Sequence, residues 1–167
     1  MTGSAGRSFN YREVGATAGR LPVGYDHVQQ SRVIGQGEAL FDSASRALMH
    51  WELHRGSGLS VAATATEATE GAEVVLGFGV GRIRLSVPCR VVYVVQEPSR
   101  NGFAYGTLTG HPEAGEELFL VSKDEVEQVT ITITAFSRPA LWWSRLGRPV
   151  GRKVQEAVTR RYLAALG

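Results

Sequence analysis

Between Gly35 and Gly56 the apolar residues recur with a helical period. Leu40, Ala44, Ala47, Leu48 and Trp51 form one stripe of an amphipathic helix. Glu38 suits the positive N-terminal end of that helix and Gly56 a C-terminal stop. The stripe turns Trp51 inward, where burying so large a side chain is worth about 2–3 kcal/mol. A short strand is expected before it, from Asp26 to Ile34. From Leu59 to Phe136 the pattern becomes β: Val, Ile, Thr, Phe and Tyr dominate, and turn signals at TEG, VPC, EPSRNG, TGHPEAG and SKDE divide the segment into about six strands. The connections are too short for helical crossovers, so neighbours should pair antiparallel as a meander. Beyond them Trp142, Leu146, Val150, Val154, Val158, Tyr162 and Ala165 share one helical face, with a kink expected near Gly147–Pro149. The sum is an α+β domain, a curved antiparallel β-sheet closed by a long C-terminal helix.

Alternation along the strands assigns faces. Glu117, Phe119 and Val121 share a face with Val129, Ile131, Ile133 and Ala135, while Thr130, Thr132 and Thr134 occupy the other. With TGHPEAG as a hairpin loop, Tyr105 falls opposite Phe119 and Thr107 opposite Glu117. With SKDEVEQ closing the next hairpin, Phe119 falls opposite Ile131 and Glu117 opposite Ile133. Glu117, Tyr105 and Thr107 then stand as polar groups in an apolar wall, an arrangement that orients a ligand. Desolvation raises the pKa of such a carboxyl, which suits Glu117 to acid or base work. The alternative is a satisfied internal Tyr105–Glu117 pair.

Composition bounds the classes. The 167 residues are 43% hydrophobic and 20% charged, the balance of one globular domain, expected over 9–167 behind a polar tail at 1–8. A net charge of +2 is too small for a dedicated nucleic-acid binder. No apolar run is long enough for a transmembrane segment and the start lacks a signal-peptide core, so the expected location is cytoplasmic. Cys89 is the single cysteine, which excludes an intrachain disulfide or thiolate metal cluster. Arg145, Arg148, Arg152, Lys153, Arg160 and Arg161 make the last helix basic, by default a solvated face.

Other chemical motifs fall short. GFGVGR at 77–82 has Arg82 where a dinucleotide loop needs glycine, and it continues as β. His50 and His54 have the spacing of two ligands on a helix, but HWELH lacks the metalloprotease order and no third ligand lies near, so no metal is expected. No serine stands in a nucleophile elbow. His111, beside Glu113 and Glu116, is a proton-relay candidate or a turn-fixing histidine. Ser137 and Pro139 are suited to the start of the last helix, and Arg138 to pairing with Glu116 or a ligand carboxylate.

The runs FNYREVGAT with LPVGY, MHWELHRG, PCRVVYVV, GFAYGTLTGHPEAGEELFLV and FSRPALWW resemble a bacterial and plant domain-of-unknown-function family, number nineteen-ninety. The element order is similar to the helix-grip superfamily of START-like (SRPBCC) lipid carriers, birch-pollen-allergen-like proteins and polyketide cyclases. The resemblance covers about residues 9–166. It implies a helix-grip fold, and its motif positions here include Trp51, Arg90, Tyr93, Tyr105, His111, Glu116, Glu117, Ser137 and Arg138.

The expected function is binding of a small hydrophobic metabolite or lipid between the sheet and the C-terminal helix, without cofactor. Its ligand-binding residues would be Trp51, Tyr93, Tyr105, Thr107, Glu117, Phe119, Ile131, Ile133, Arg138 and Trp142. Competing readings are an enzyme of cyclase, dehydratase or hydrolase type using Glu117, Tyr105 and His111, and an interaction or stress-response module, for which a homodimer through an apolar patch is the expected partner arrangement.

Overall fold

Seven β-strands form one antiparallel sheet in the order β1-β7-β6-β5-β4-β3-β2 in a computed structural model that describes residues 6–80, 83–141 and 160–161. The strands are β1 (Asp26–Gln36), β2 (Ser60–Ala63), β3 (Glu73–Val80), β4 (Ile83–Glu97), β5 (Arg100–Thr107), β6 (Glu113–Lys123) and β7 (Gln128–Pro139). The six strands of the β-rich segment follow one another as a meander, because their tight connections permit only hairpins. β1 lies far away in sequence yet closes the sheet against β7, antiparallel from Asp26 opposite Ser137 to Gln36 opposite Gln128.

The helical segment after β1 is two helices. α1 (Glu38–Met49) buries Phe41, Ala44, Ser45, Leu48 and Met49, and α2 (Glu52–Gly56) buries Leu53 and His54. The break falls at Trp51, whose φ of 66° is left-handed. A single α-helix cannot contain such a residue. Trp51 is nonetheless fully buried, its indole Nε1 donating to the Ala65 carbonyl at 3.3 Å. α1 packs on β5 and β6, held at its start by an ion pair from Glu38 to Lys123 and in its middle by Asn101, which donates to Ser45 Oγ at 3.3 Å.

Both sheet faces are covered. On the inner face, Phe103, Phe119, Val121, Val129, Ile131 and Ile133 join Trp51, Leu48 and Leu53 in the main core. On the outer face Tyr11, Ala114 and Phe136 form a second cluster with Phe9, Ala16, Leu21 and Tyr25 from the lead-in before β1. Tyr11 and Tyr25 both meet the Phe136 ring edge-on, at centroid separations of 5.8 and 5.0 Å.

Two expectations of register change here. Tyr105 lies opposite Glu117 and Phe103 opposite Phe119, while Phe119 lies opposite Ile133 and Glu117 opposite Ala135. Both hairpins are thus displaced by two residues from the sequence-based pairing, in opposite senses. A displacement of two preserves the alternation, so the faces are as expected. The causes are local. In the β5–β6 hairpin, the Thr107 hydroxyl rather than a ladder carbonyl accepts from Gly115 N, at 2.9 Å. In the β6–β7 turn, Asp124 Oδ1 accepts from both Val126 N and Gln128 N, and Glu127 takes a φ of 59°.

The junction at Ser137–Pro139 is a further correction: β7 runs through Pro139 and no helix starts there. The helix and the kink near Gly147–Pro149 expected after β7 fall outside the described residues, except that Arg160 and Arg161 are helical and exposed.

Candidate functional site

β6 carries two consecutive glutamates that alternation sends to opposite faces. Their surroundings differ in every respect that matters chemically.

Glu117 projects from the inner face. Tyr105, directly opposite on β5, donates its hydroxyl to Glu117 Oε2 at 3.1 Å. The surrounding wall is apolar and aromatic. The Tyr105 ring lies 5.4 Å from Phe119 and 6.2 Å from Phe103, and the imidazole of His54 reaches 5.6 Å from Tyr105 and 4.8 Å from Phe119. Burial pushes the Glu117 carboxyl up to about 7, against the opposing effect of the Tyr105 hydrogen bond. The side chain is only partly buried and so remains within reach of a molecule arriving from solvent. Burial drives His54 down to about 3, so this imidazole is neutral at physiological pH. Cys89 on β4 feels burial and the Glu117 charge, and both raise its thiol pKa. It is a packed side chain in an environment that opposes thiolate formation.

Glu116 projects from the outer face and is 3% exposed. Its Oε2 accepts from the Tyr11 hydroxyl and from Gly15 N, both at 2.7 Å. Its Oε1 accepts from Thr17 N at 3.1 Å and from Thr17 Oγ1 at 2.5 Å. Tyr93 extends the chain, its hydroxyl 2.9 Å from Thr17 Oγ1. Burial and the Glu116 hydrogen bond raise the Tyr11 phenol well above its ordinary value, so Tyr11 stays a donor. Gly106 permits this docking: a Cβ there would collide with the Tyr11 hydroxyl and lie 2.8 Å from Tyr11 Cζ.

The structure brings together some of the residues singled out from sequence and separates others. Tyr105 and Glu117 are hydrogen-bonded, and Phe119, Ile131, Ile133 and Trp51 lie fully buried on the same side. Thr107 does not face Glu117; its hydroxyl donates to Asn10 Oδ1 at 2.5 Å. Tyr93 is on the outer face, because a bulge between Val91 and Tyr93 shifts it opposite Ala104. Arg138 is exposed and lies 4.6 Å over the Tyr25 ring, and Glu116 is engaged by Tyr11, Gly15 and Thr17. His111 fixes its own turn, its Nδ1 accepting from Glu113 N at 2.9 Å, and burial lowers its pKa to about 4. Trp142, Arg145, Arg148, Arg152 and Lys153 lie outside the described residues.

Two residues carry more than sequence reasoning assigned to them. His54 was paired with His50 by spacing, but the break at Trp51 separates them: His50 contacts the Arg46 carbonyl at 2.9 Å and His54 enters the aromatic cluster. Its position three residues after Trp51 was the available signal. Glu116 was legible as a motif position and as a candidate partner of Arg138, but its donors come from a segment about a hundred residues away. Among the described residues no cluster of three or more His, Cys, Asp or Glu is arranged to hold a metal, and no helix is long and apolar enough to cross a membrane.

Comparison with known proteins adds a family and a fold. The family model described as a domain of unknown function (DUF1990) matches residues 10–165. A UPF0548 protein of Deinococcus radiodurans is 35% identical over 168 residues, covering 94% of this chain and 85% of that protein. Among solved structures, norcoclaurine synthase from Thalictrum flavum, bound to a transition-state analogue, superposes with a TM-score of 0.58 at 9% identity, covering 88% of this chain and 97% of that one. Ara h 8.0201 superposes with a TM-score of 0.54 at 9% identity, over 86% and 99% of the two chains. At such identities the likeness is one of fold alone, the helix-grip fold.

Proposed function

This chain belongs to the DUF1990 family on a helix-grip fold, and from that premise we propose that it binds a small, largely apolar metabolite or lipid against the inner face of its sheet. The observation that carries the reading is the Tyr105–Glu117 hydrogen bond, a polar anchor set among aromatic and aliphatic side chains yet partly open to solvent. Apolar surface supplies most of the affinity in such sites, while a few convergent polar groups fix orientation. The norcoclaurine synthase structure holds a transition-state analogue on the same fold, which supports a small-molecule role but not a particular ligand. Trp142 and the last helix would complete the enclosure. A cytoplasmic location is part of this proposal, and the lone buried Cys89 is in keeping with a reducing compartment.

The test is native mass spectrometry of the full chain purified from its source, followed by amide chemical-shift mapping with the extracted compounds. Binding should shift resonances of Tyr105, Glu117 and their inner-face neighbours and leave those of Tyr25 and Phe136 unmoved. Shifts confined to the outer face would overturn the proposal.

A second reading, acid–base catalysis, is favoured by the setting of Glu117: burial in the apolar wall pushes its carboxyl up to about 7, where both protonation states are populated near neutral pH. Turnover of a bound compound by the parent chain and its loss in Glu117→Gln would establish it; retained turnover would dismiss it.

A further inference from the structure

The two adjacent glutamates of β6 differ most in their hydrogen-bond partners. Four donor contacts converge on Glu116, two at each oxygen. Glu117 receives one, from Tyr105 to Oε2, and among the described residues no lysine, arginine or backbone N–H engages its carboxyl. An acidic group in an apolar wall is costly unless it is paired or hydrogen-bonded. Among the described residues the wall offers no cation: Phe103, Phe119, Ile131 and Ile133 have no polar side-chain atom, and burial keeps His54 neutral and the Cys89 thiol protonated.

We infer that the inner-face site selects ligands carrying a basic nitrogen, an ammonium group that binds the open oxygen of Glu117 while the apolar remainder lies along the wall. The inference rests on the binding reading above. An ammonium group supplies a hydrogen-bond donor together with a positive charge, which none of the described residues brings to Glu117, and such a charge-assisted bond is about twice as strong as a neutral one. A hydroxyl supplies only a donor. A carboxylate brings a like charge against Glu117 and is rejected.

Benzylamine, benzyl alcohol and benzoate share one apolar frame and differ in the group offered to Glu117, so their titration into the full chain, followed by amide chemical shifts at Tyr105 and Glu117, separates the cases. The expected result is benzylamine binding at least tenfold tighter than the alcohol, benzoate weakest, and the amine preference reduced to within twofold in Glu117→Gln. On the unaltered chain, benzylamine affinity should also rise several-fold from about pH 5.5 to about pH 8 as Glu117 ionises, with benzyl alcohol flat. His54 and Cys89 face the same site and stay neutral across that range. Equal affinity for the amine and the alcohol, or an amine preference that survives in Glu117→Gln, overturns the basic-nitrogen assignment but leaves the site standing. Absence of inner-face shifts with all three compounds overturns the site and the assignment together.

Discussion

Replacing Glu116 with Gln tests whether one carboxylate fastens the lead-in to the sheet. The carboxylate receives Tyr11 and Gly15 at one oxygen and Thr17, through both its amide and its hydroxyl, at the other. Glutamine keeps one acceptor oxygen and puts an NH2 group where the other stood, so two of the four donors meet a donor. Hydrogen bonds to a charged group contribute about 1.5–3 kcal/mol each. Taking the low end, because part of the lead-in reaches water, the loss of two is about 3 kcal/mol. For a chain of this size that lowers the thermal midpoint by about 6–12 °C. Far-ultraviolet circular dichroism gives the midpoint, and hydrogen exchange at Gly15 and Thr17 shows where the loss falls. A midpoint within about 1 °C of the parent, with both amides exchanging as slowly as before, would refute the clasp.

Three further outcomes follow from the same geometry. Gly106→Ala places a methyl against Tyr11, and overpacking of this kind costs about 1–3 kcal/mol; limited proteolysis should cut the lead-in sooner than in the parent, and unchanged cleavage would contradict the placement of Tyr11. Glu117 has its pKa raised from 4.5 to about 7, so the native state holds more protons than the unfolded chain between those values and its contribution to stability falls as pH rises through them; the difference in urea midpoint between the parent and Glu117→Gln should show this decline across that range, and a difference independent of pH would contradict it. His54 has its pKa lowered from 6.5 to about 3, so the unfolded chain holds more protons and stability is lost as pH falls below 6.5. The two effects oppose each other between about 4.5 and 6.5. Glu117→Gln should therefore steepen the acid limb and His54→Phe should flatten it, with His111 supplying the part that remains; an acid limb unchanged in His54→Phe would exclude His54 as its source.

What the sequence disclosed depended on how local each cause was. The six-strand meander and the inner face through Phe119, Ile131 and Ile133 were legible, because alternation depends only on neighbours two residues apart. A Tyr105–Glu117 pair was legible as the alternative reading, but the register that sets the two directly opposite differs by two residues from the expected one, because it is set by the Thr107 hydroxyl reaching Gly115. The helix boundary was hidden for a related reason: Trp51 sits on the expected stripe, yet the aromatic contacts that bury it, with Phe103 and His54, hold it in a left-handed conformation that propensity does not foresee. Least legible was the outer-face cluster, where Tyr11, Gly15 and Thr17 meet Glu116 across about a hundred residues.

The consecutive placement of Glu116 and Glu117 makes the length of the β5–β6 hairpin a matter of odd and even. Inserting or deleting one residue between Thr107 and Glu116 would reverse the strand's sidedness, turning the clasp glutamate toward the aromatic wall and the solitary one toward Tyr11 and Thr17. A change of two residues restores both. Relatives that keep both carboxyls in service should therefore differ in this loop by even numbers, or carry a bulge in β6 that cancels an odd one.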